Sequence, residues 1–195
     1  MLSKSDGKEL VKLARKTVES YFKNKELKMK ETKFKEKRGI FVSIHTFPDH
    51  ELRGCIGYPY PILALDEAIQ RASISAAFQD PRFPALIQDE LKRVVFEVSI
   101  LTFPKIIKVE NPKDYLKKIV IGKDGLMIEH GLLYKGLLLP QVPTQYDWDV
   151  ETFLEHLCMK AGLMVDMWLD SKTKIYKFQT QIFAEREPNG QVIQT

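Results

Sequence analysis

The sequence has 195 residues, of which 44% are apolar, 29% are charged and 10% are aromatic. This composition excludes a globally disordered chain, because it supplies enough apolar surface for a core that needs neither disulfides nor a metal. No apolar run approaches the ~20 residues of a membrane helix, and the first ten residues lack an apolar signal core. We therefore predict a cytoplasmic protein without membrane association. Two cysteines do not make a disulfide framework.

The net charge of +4 is unevenly distributed, because residues 1–39 carry 13 basic and 6 acidic side chains. A basic segment can mark a nucleic-acid partner. The simpler interpretation is a solvated, lysine-rich surface, since glutamates are mixed among the lysines.

The first half of the chain reads as a helix, a hairpin, a second helix and a strand. Asp6 and Glu9 resemble a capping pair before an apolar stripe of helical spacing, and residues 23–38 read as a loop. Residues 40–47 alternate as a strand, and residues 52–57 form its predicted hairpin partner. Pro61 is predicted to open the second helix, which must end before Pro81. Residues 94–101 read as a further strand.

The second half reads as short strands with two helices. We predict a short helix at 112–118, strands at 119–121, 126–128 and 132–139, and a tight turn at 122–125. Asp149 is predicted to cap a helix that Gly162 ends. Residues 174–185 form the last predicted strand, and 187–195 a flexible tail. Hairpin-close strands interspersed with helices predict an α+β fold with mostly antiparallel sheet flanked by helices.

Two short segments carry the candidate chemistry. In Leu52-Arg53-Gly54-Cys55-Ile56-Gly57, alternation on a strand places Arg53 and Cys55 on one face, where a cation would lower the pKa of the thiol. The opposing interpretation is that Cys55 is a buried small hydrophobe. In Asp80-Pro81-Arg82-Phe83-Pro84, two prolines fix a loop from which Asp80 and Arg82 project, either toward a ligand or as a pair that pins a helix-ending turn.

These segments resemble the AMMECR domain family, of which Leu52–Gly57 is the signature hexapeptide. Further matches are Asp80–Pro84, Glu97–Thr102, Gly122–Leu126 with Glu129, Leu139–Val142, Trp148-Asp149 and Lys160–Gly162. The resemblance covers about residues 10–185 and implies one AMMECR-type domain over 1–195, with a larger and a smaller lobe around a cleft. Gln141 replaces the usual Glu after Leu-Pro, so a mechanism that needs a carboxylate there would fail in this chain.

The resemblance establishes no activity. It implies an enzymatic role or a part in transcription, translation or repair, and some bacterial members are joined to Memo-like and radical-SAM modules. Our preferred hypothesis is a small-ligand-binding protein or enzyme. Cys55 would be its nucleophile or a polar contact, and the ligand-binding residues would be Arg53, Gly54, Gly57, Asp80, Arg82, Glu97 and Ser99.

Two alternatives stay open beside this hypothesis. One is a nucleic-acid-associated factor that uses the basic segment, and the other is a protein-interaction adaptor without chemistry. The run 120–128 also resembles the Gly-x-x-Gly loop of a KH domain, but its β-branched flanks and Asp-Gly favour a hairpin turn. The four histidines are scattered, so we predict no metal site, and we predict no cofactor.

Overall fold

A computed structural model describes residues 2–24, 26 and 29–195. Part of the predicted loop 23–38, at positions 25, 27 and 28, lies outside the described residues. The chain divides into two compact units: Thr102–Thr180 form the second, and the residues before and after it form the first. Helices flanking antiparallel sheets confirm the predicted α+β class.

The first unit is a five-stranded sheet with two long helices on one face. Its helices and strands are α1 (Lys4–Asn24), β1 (Ile40–Thr46), β2 (Leu52–Tyr58), α2 (Leu65–Phe78), β3 (Val94–Leu101), β8 (Thr180–Glu185) and β9 (Val192–Gln194). The strand order is β2-β1-β3-β8-β9, so β2 forms one edge. The alternate residues Ile40, Val42 and Ile44 point into the core shared with α1 and α2.

The second unit is a four-stranded sheet with its own core. Its helices and strands are β4 (Lys105–Ile106), α3 (Tyr115–Lys118), β5 (Gly125–His130), β6 (Tyr134–Leu138), α4 (Gln141–Gln145), α5 (Val150–Lys160) and β7 (Thr173–Phe178), in the strand order β4-β7-β5-β6. Asp149 accepts a hydrogen bond from the Thr152 backbone N–H at 2.8 Å, as predicted for the cap of α5. Gly162 follows α5 with a φ of 75°, a left-handed conformation that glycine adopts without steric penalty.

Both long helices of the first unit begin differently from the prediction. The capping pair of α1 is Ser3 with Asp6, since each side chain accepts a hydrogen bond from the other's backbone N–H. Helix α2 begins at Leu65 and not at Pro61, because the N–H groups of Leu65 and Asp66 donate to loop carbonyls at Glu36 and Phe34. Tertiary hydrogen bonds therefore set the start of α2.

Two predictions about the later strands were wrong, and two further elements, β9 and α4, were not predicted. Residues 119–121 form no strand, because the Asp124 carboxylate accepts the Val120 N–H at 3.1 Å and closes a turn there. The strand predicted at 174–185 breaks at Gln179 into β7 and β8, which belong to different sheets. The predicted flexible tail 187–195 contains β9, which pairs antiparallel with β8. Helix α4 was not predicted, since a proline lies within its five residues.

Candidate functional site: a polar row on the open face of the five-stranded sheet

The signature hexapeptide forms the edge strand β2. Ile56 pairs with Val42 and faces the core, whereas Cys55 pairs with Ser43 on the opposite face. Gly54 lies against α2, where a Cβ atom would come within 2.2 Å of the Ala76 carbonyl oxygen. A Cβ atom on Gly57 would come within 2.3 Å of the Ile40 carbonyl oxygen. The two glycines therefore allow close packing of the backbone.

The Asp80–Arg82 pair covers the free edge of β2 at Cys55. The Asp80 carboxylate accepts the Cys55 backbone N–H at 2.9 Å, and the Arg82 guanidinium donates to the Cys55 carbonyl at 3.1 Å. Arg82 also donates to Asp80 through Nε at 3.0 Å and Nη2 at 2.7 Å. Two side chains thus satisfy backbone groups that a neighbouring strand would otherwise take, which protects the sheet edge.

Burial and charge differ between the two members of this pair. The side chain of Asp80 is 2% exposed and that of Arg82 is 54% exposed. The Arg82 guanidinium and the Cys55 N–H hold the pKa of Asp80 well below its ordinary value, although burial opposes them. Asp80 is therefore a fixed anion inside the fold, and Arg82 is a cation that still reaches solvent.

Arg53 is engaged by a neighbouring loop. Its Nε and Nη2 donate to the two carboxylate oxygens of Glu90 at 2.8 and 3.0 Å, and its Nη1 donates to the Pro84 carbonyl at 2.8 Å. The Arg53 side chain is only 12% exposed. Burial alone would raise the pKa of Glu90, but Arg53 and the Ile87 N–H outweigh it and lower that pKa. Arg53 therefore ties β2 to the segment that leads into β3.

Three polar side chains lie side by side across adjacent strands. Ser43 on β1 pairs with Cys55 on β2 and with Glu97 on β3, and the Cys55 Sγ lies 3.2 Å from the Ser43 Oγ. Because directly opposed residues share a face of the sheet, Cys55, Ser43 and Glu97 form a continuous row, which we call the polar row. His45 on β1 and Ser99 on β3 lie on the same face, each two residues along its strand from the polar row and on opposite sides of it.

The surroundings of the polar row favour uncharged forms of its acidic groups. Burial raises the pKa of the Cys55 thiol, against opposing effects of the Ser43 hydroxyl and the Arg82 charge. Burial also raises the pKa of Glu97, against the opposing charge of His45 and a hydrogen bond from Ser99. A protonated thiol can both donate and accept hydrogen bonds. The raised pKa of Glu97 extends the pH range in which its carboxyl group is protonated.

A hollow of about 360 Å³ adjoins one end of the polar row. His45, Glu97 and Val95 line it from β1 and β3, and Ile193 and Thr195 line it from the C-terminal strand. The Nε2 atom of His45 is buried and has no hydrogen-bond partner among the described residues. Because an unpaired buried polar atom is unfavourable, this nitrogen is a natural contact for a polar ligand.

The predicted site residues thus divide into two groups. The polar row and its extension contain Cys55, Glu97 and Ser99, while Asp80 and Arg82 hold the backbone of Cys55 from outside the sheet. Arg53 donates hydrogen bonds to Glu90 instead of to the polar row. Gly54 and Gly57 allow the close approach of neighbouring backbone. Sequence reasoning missed Glu90, because no local pattern connects a residue with a partner 37 positions away. It also missed the contribution of β9 to the hollow.

The described residues contain neither a metal-binding cluster nor a membrane-spanning helix. No group of three or more histidine, cysteine, aspartate or glutamate side chains in residues 2–24, 26 and 29–195 is arranged to hold a metal ion. Over the same ranges, no helix is both long and apolar enough to cross a membrane.

Comparison with known proteins gives consistent matches along almost the whole chain. The AMMECR1 family model matches residues 11–183. Protein MJ0810 of Methanocaldococcus jannaschii is 54% identical over 196 residues, covering 100% of this chain and 97% of that protein. A protein of Aquifex aeolicus is 47% identical and covers 96% of both chains. The crystal structure of uncharacterized protein PH0010 from Pyrococcus horikoshii is 44% identical, with a TM-score of 0.85 over 97% of this chain and 96% of that one.

Proposed function

We propose that this chain, which belongs to the AMMECR1 family, is a cytosolic small-ligand-binding protein whose ligand contacts the polar row and enters the adjoining hollow. The observation that carries the proposal is the buried Nε2 of His45, which has no hydrogen-bond partner among the described residues and lies beside Glu97 in that hollow. A ligand that offers a polar atom to this nitrogen would satisfy it. The names of the matched relatives state no activity that would narrow the ligand further.

In this proposal the signature residues act at two levels. Cys55, Ser43 and Glu97 contact the ligand, with Ser99 and His45 at the borders of the same face. Asp80, Arg82 and Arg53 are positioning residues, because their polar atoms already bond to β2 or to the loop beside it. Arg82 is exposed enough to contact an anionic part of the ligand as well.

Binding has more support than nucleophilic catalysis in the resting protein. A nucleophilic cysteine needs its thiolate, and burial raises the pKa of the Cys55 thiol. The positive charge that favours the Cys55 thiolate is that of Arg82. Arg82 is itself bonded to the Asp80 carboxylate. If chemistry occurs at Cys55, a bound ligand must first lower that pKa.

Alkylation of the two cysteines tests whether small molecules reach the polar row. Native protein would be treated with iodoacetamide over a pH series, and each cysteine quantified by mass spectrometry. We expect Cys55 to react with a midpoint above the ordinary thiol pKa, and Cys158 to stay protected because it is 0% exposed. Ser43→Ala should move the Cys55 midpoint upward, since the hydroxyl bond that favours the thiolate is lost.

Protection of Cys55 tests the ligand itself. The same alkylation would be repeated in the presence of the low-molecular-weight filtrate of a cell extract. We expect the filtrate to slow alkylation of Cys55 in the unmodified protein and not in His45→Ala. If Cys55 is as unreactive as Cys158 in the absence of filtrate, small molecules do not reach the polar row. If the filtrate does not change the alkylation rate of Cys55, the proposal of a ligand at the polar row is contradicted.

A further inference from the structure

We propose that a second hollow, formed by α1 and the loop that precedes β1, binds a phosphate group of a small phosphorylated molecule. Lys12 and Lys16 from α1 and Lys30 from the loop line it, and we call it the lysine hollow. Leu13, Thr32 and Phe34 complete its wall, and its volume is about 220 Å³. It belongs to the helix side of the first unit, so it is separate from the polar row.

The lysines of this hollow lack carboxylate partners. Lys12 and Lys16 are four positions apart on α1, a spacing at which like charges repel across one helical turn. Neither of them nor Lys30 forms an ion pair within residues 2–24, 26 and 29–195. An anion placed among the three would relieve the repulsion and receive several charged hydrogen bonds.

Two acidic residues nearby, Asp6 and Glu9, share one lysine, Lys33. Glu9, which also lines the hollow, accepts from Lys33 Nζ at 3.0 Å. The same Nζ lies 3.0 Å from the Asp6 carboxylate. Bonds to Asp6 and Glu9 raise the pKa of Lys33. Lys33 and Lys35 therefore bond to local carboxylates, whereas the three lysines of the hollow stay available to an external anion.

The loop that carries Lys30 is fixed in place by α2. The Gln70 side chain accepts the Lys30 N–H at 2.7 Å and donates to the Lys30 carbonyl at 2.9 Å. Asp66 accepts the Thr32 N–H at 3.0 Å. Gln70 and Asp66 are both almost fully buried. A loop held in this way presents Lys30 without a further ordering penalty for its backbone, which favours binding.

Titration with inorganic pyrophosphate at low ionic strength tests this site. The full chain would be compared by calorimetry with a Lys12→Gln/Lys16→Gln variant. Because two charged contacts are lost, we expect binding to weaken by at least about tenfold. The matched control is Lys8→Gln/Lys23→Gln, which removes the same charge from exposed positions of α1 outside the hollow. It should weaken binding by less than about twofold, as expected for screened charges at a distance.

Two further measurements make the result decisive. Lys30→Gln should also weaken pyrophosphate binding, because it removes the contact from the loop, and circular dichroism would verify that every variant is folded. Equal weakening by the hollow variant and the control would show diffuse attraction to the helix and overturn the proposal. Failure of pyrophosphate to bind the unmodified chain would also overturn it.

Competition experiments identify the source of the phosphate. Ribose 5-phosphate represents a free phosphate monoester, and a short oligothymidylate represents a nucleic-acid backbone. We expect ribose 5-phosphate to displace pyrophosphate. Displacement by the oligothymidylate alone, with a steep salt dependence, would overturn the small-molecule source and assign the hollow to nucleic acid.

Discussion

The two cysteines of this protein lie in opposite surroundings. Cys55 is half-buried on a sheet face, where its sulfur lies 3.2 Å from the Ser43 hydroxyl and its backbone is held by Asp80 and Arg82. Cys158 is fully buried on α5, in a core with Phe153 and Leu157. Burial raises the pKa of both thiols, in the case of Cys158 to about 11.

This contrast separates two uses of the same side chain. Cys158 fills apolar space, and burial suppresses its chemistry by raising the pKa of its thiol. Cys55 has polar neighbours on both sides of its strand. The buried carboxylate of Asp80 and the guanidinium groups of Arg82 and Arg53 hold the surrounding backbone in place. Four comparisons, each between a test variant and a matched one, break or sharpen the contrast, from the largest expected effect to the smallest.

Asp80→Ala should have the largest effect. It removes the acceptor of the Cys55 N–H and the partner of Arg82, so we expect the free energy of unfolding to fall by about 2–3 kcal/mol in urea denaturation. The folded-state pKa of Asp80 lies below its unfolded value, so its stabilisation is present above the unfolded pKa and is lost as the pH falls through the folded one. The variant should therefore lose this acid dependence.

Asp89→Ala is the matched control for Asp80→Ala. Asp89 is exposed in the 3₁₀ turn Gln88–Arg93, close in sequence to the Asp80 loop. A surface change of this kind should alter stability by less than about 0.5 kcal/mol. Equal effects of the two variants would contradict the edge-covering role of Asp80.

Cys158→Ser should destabilise the protein by about 1–2 kcal/mol, because a hydroxyl replaces a thiol in an apolar core. The same change at Cys55 should cost less than about 0.5 kcal/mol, since the Ser43 hydroxyl offers a hydrogen-bond partner. Thermal and urea denaturation of both variants would measure the difference. A larger loss of stability in Cys55→Ser than in Cys158→Ser would contradict the assignment of Cys55 to polar and Cys158 to apolar surroundings.

Arg53→Lys should lower the free energy of unfolding by about 1 kcal/mol. Lysine cannot reproduce the bidentate pair of hydrogen bonds to Glu90 together with the bond to the Pro84 carbonyl. Arg71→Lys is the matched control, since Arg71 Nε also lies 2.8 Å from a carboxylate, that of Glu67. That pair is exposed, so its loss should cost less than about 0.5 kcal/mol. An equal cost in both variants would make Arg53 an ordinary surface arginine.

Glu97→Gln should have the smallest effect and the opposite sign. Burial raises the folded-state pKa of Glu97, so its favourable contribution is complete below the unfolded pKa and is lost as the pH rises through the folded one. At neutral pH the variant should be more stable than the unmodified protein, by less than about 1 kcal/mol. This gain should disappear at acidic pH, where the carboxyl is neutral in both states.

Glu51→Gln provides the reference for that pH series, because Glu51 is exposed in the turn between β1 and β2. It should follow the unmodified protein at every pH. A Glu97→Gln variant that is less stable than the unmodified protein at neutral pH would indicate that His45 stabilises the ionised carboxylate more than burial disfavours it.

Sequence patterns sufficed where the determining interactions are local. The bounds of β3 follow from an apolar run that only Glu97 and Ser99 interrupt, and α5 follows from the Asp149 cap and Gly162. Patterns failed where distant partners decide. The break at Gln179 depends on two hydrogen bonds with Thr102, and the strand β9 exists because β8 offers it an edge.

The candidate site shows the same division. Alternation on β2 already placed Cys55 opposite the core residues, and the Pro-Arg-Phe-Pro loop already indicated an Asp80–Arg82 pair. That this pair holds the backbone of Cys55, while Arg53 is committed to Glu90, could not be inferred, because residues separated by 25 to 37 positions share no periodic signal.

The sequence by itself determined the family, the α+β class and the face of β2 on which the thiol lies, because motifs and side-chain alternation are properties of a few neighbouring residues. Only the tertiary structure decided which of the polar groups remain open to a ligand. A guanidinium or a carboxylate can bond to whichever partner the fold brings within 3 Å, and for Arg53, Asp80 and Lys33 that partner lies far along the chain.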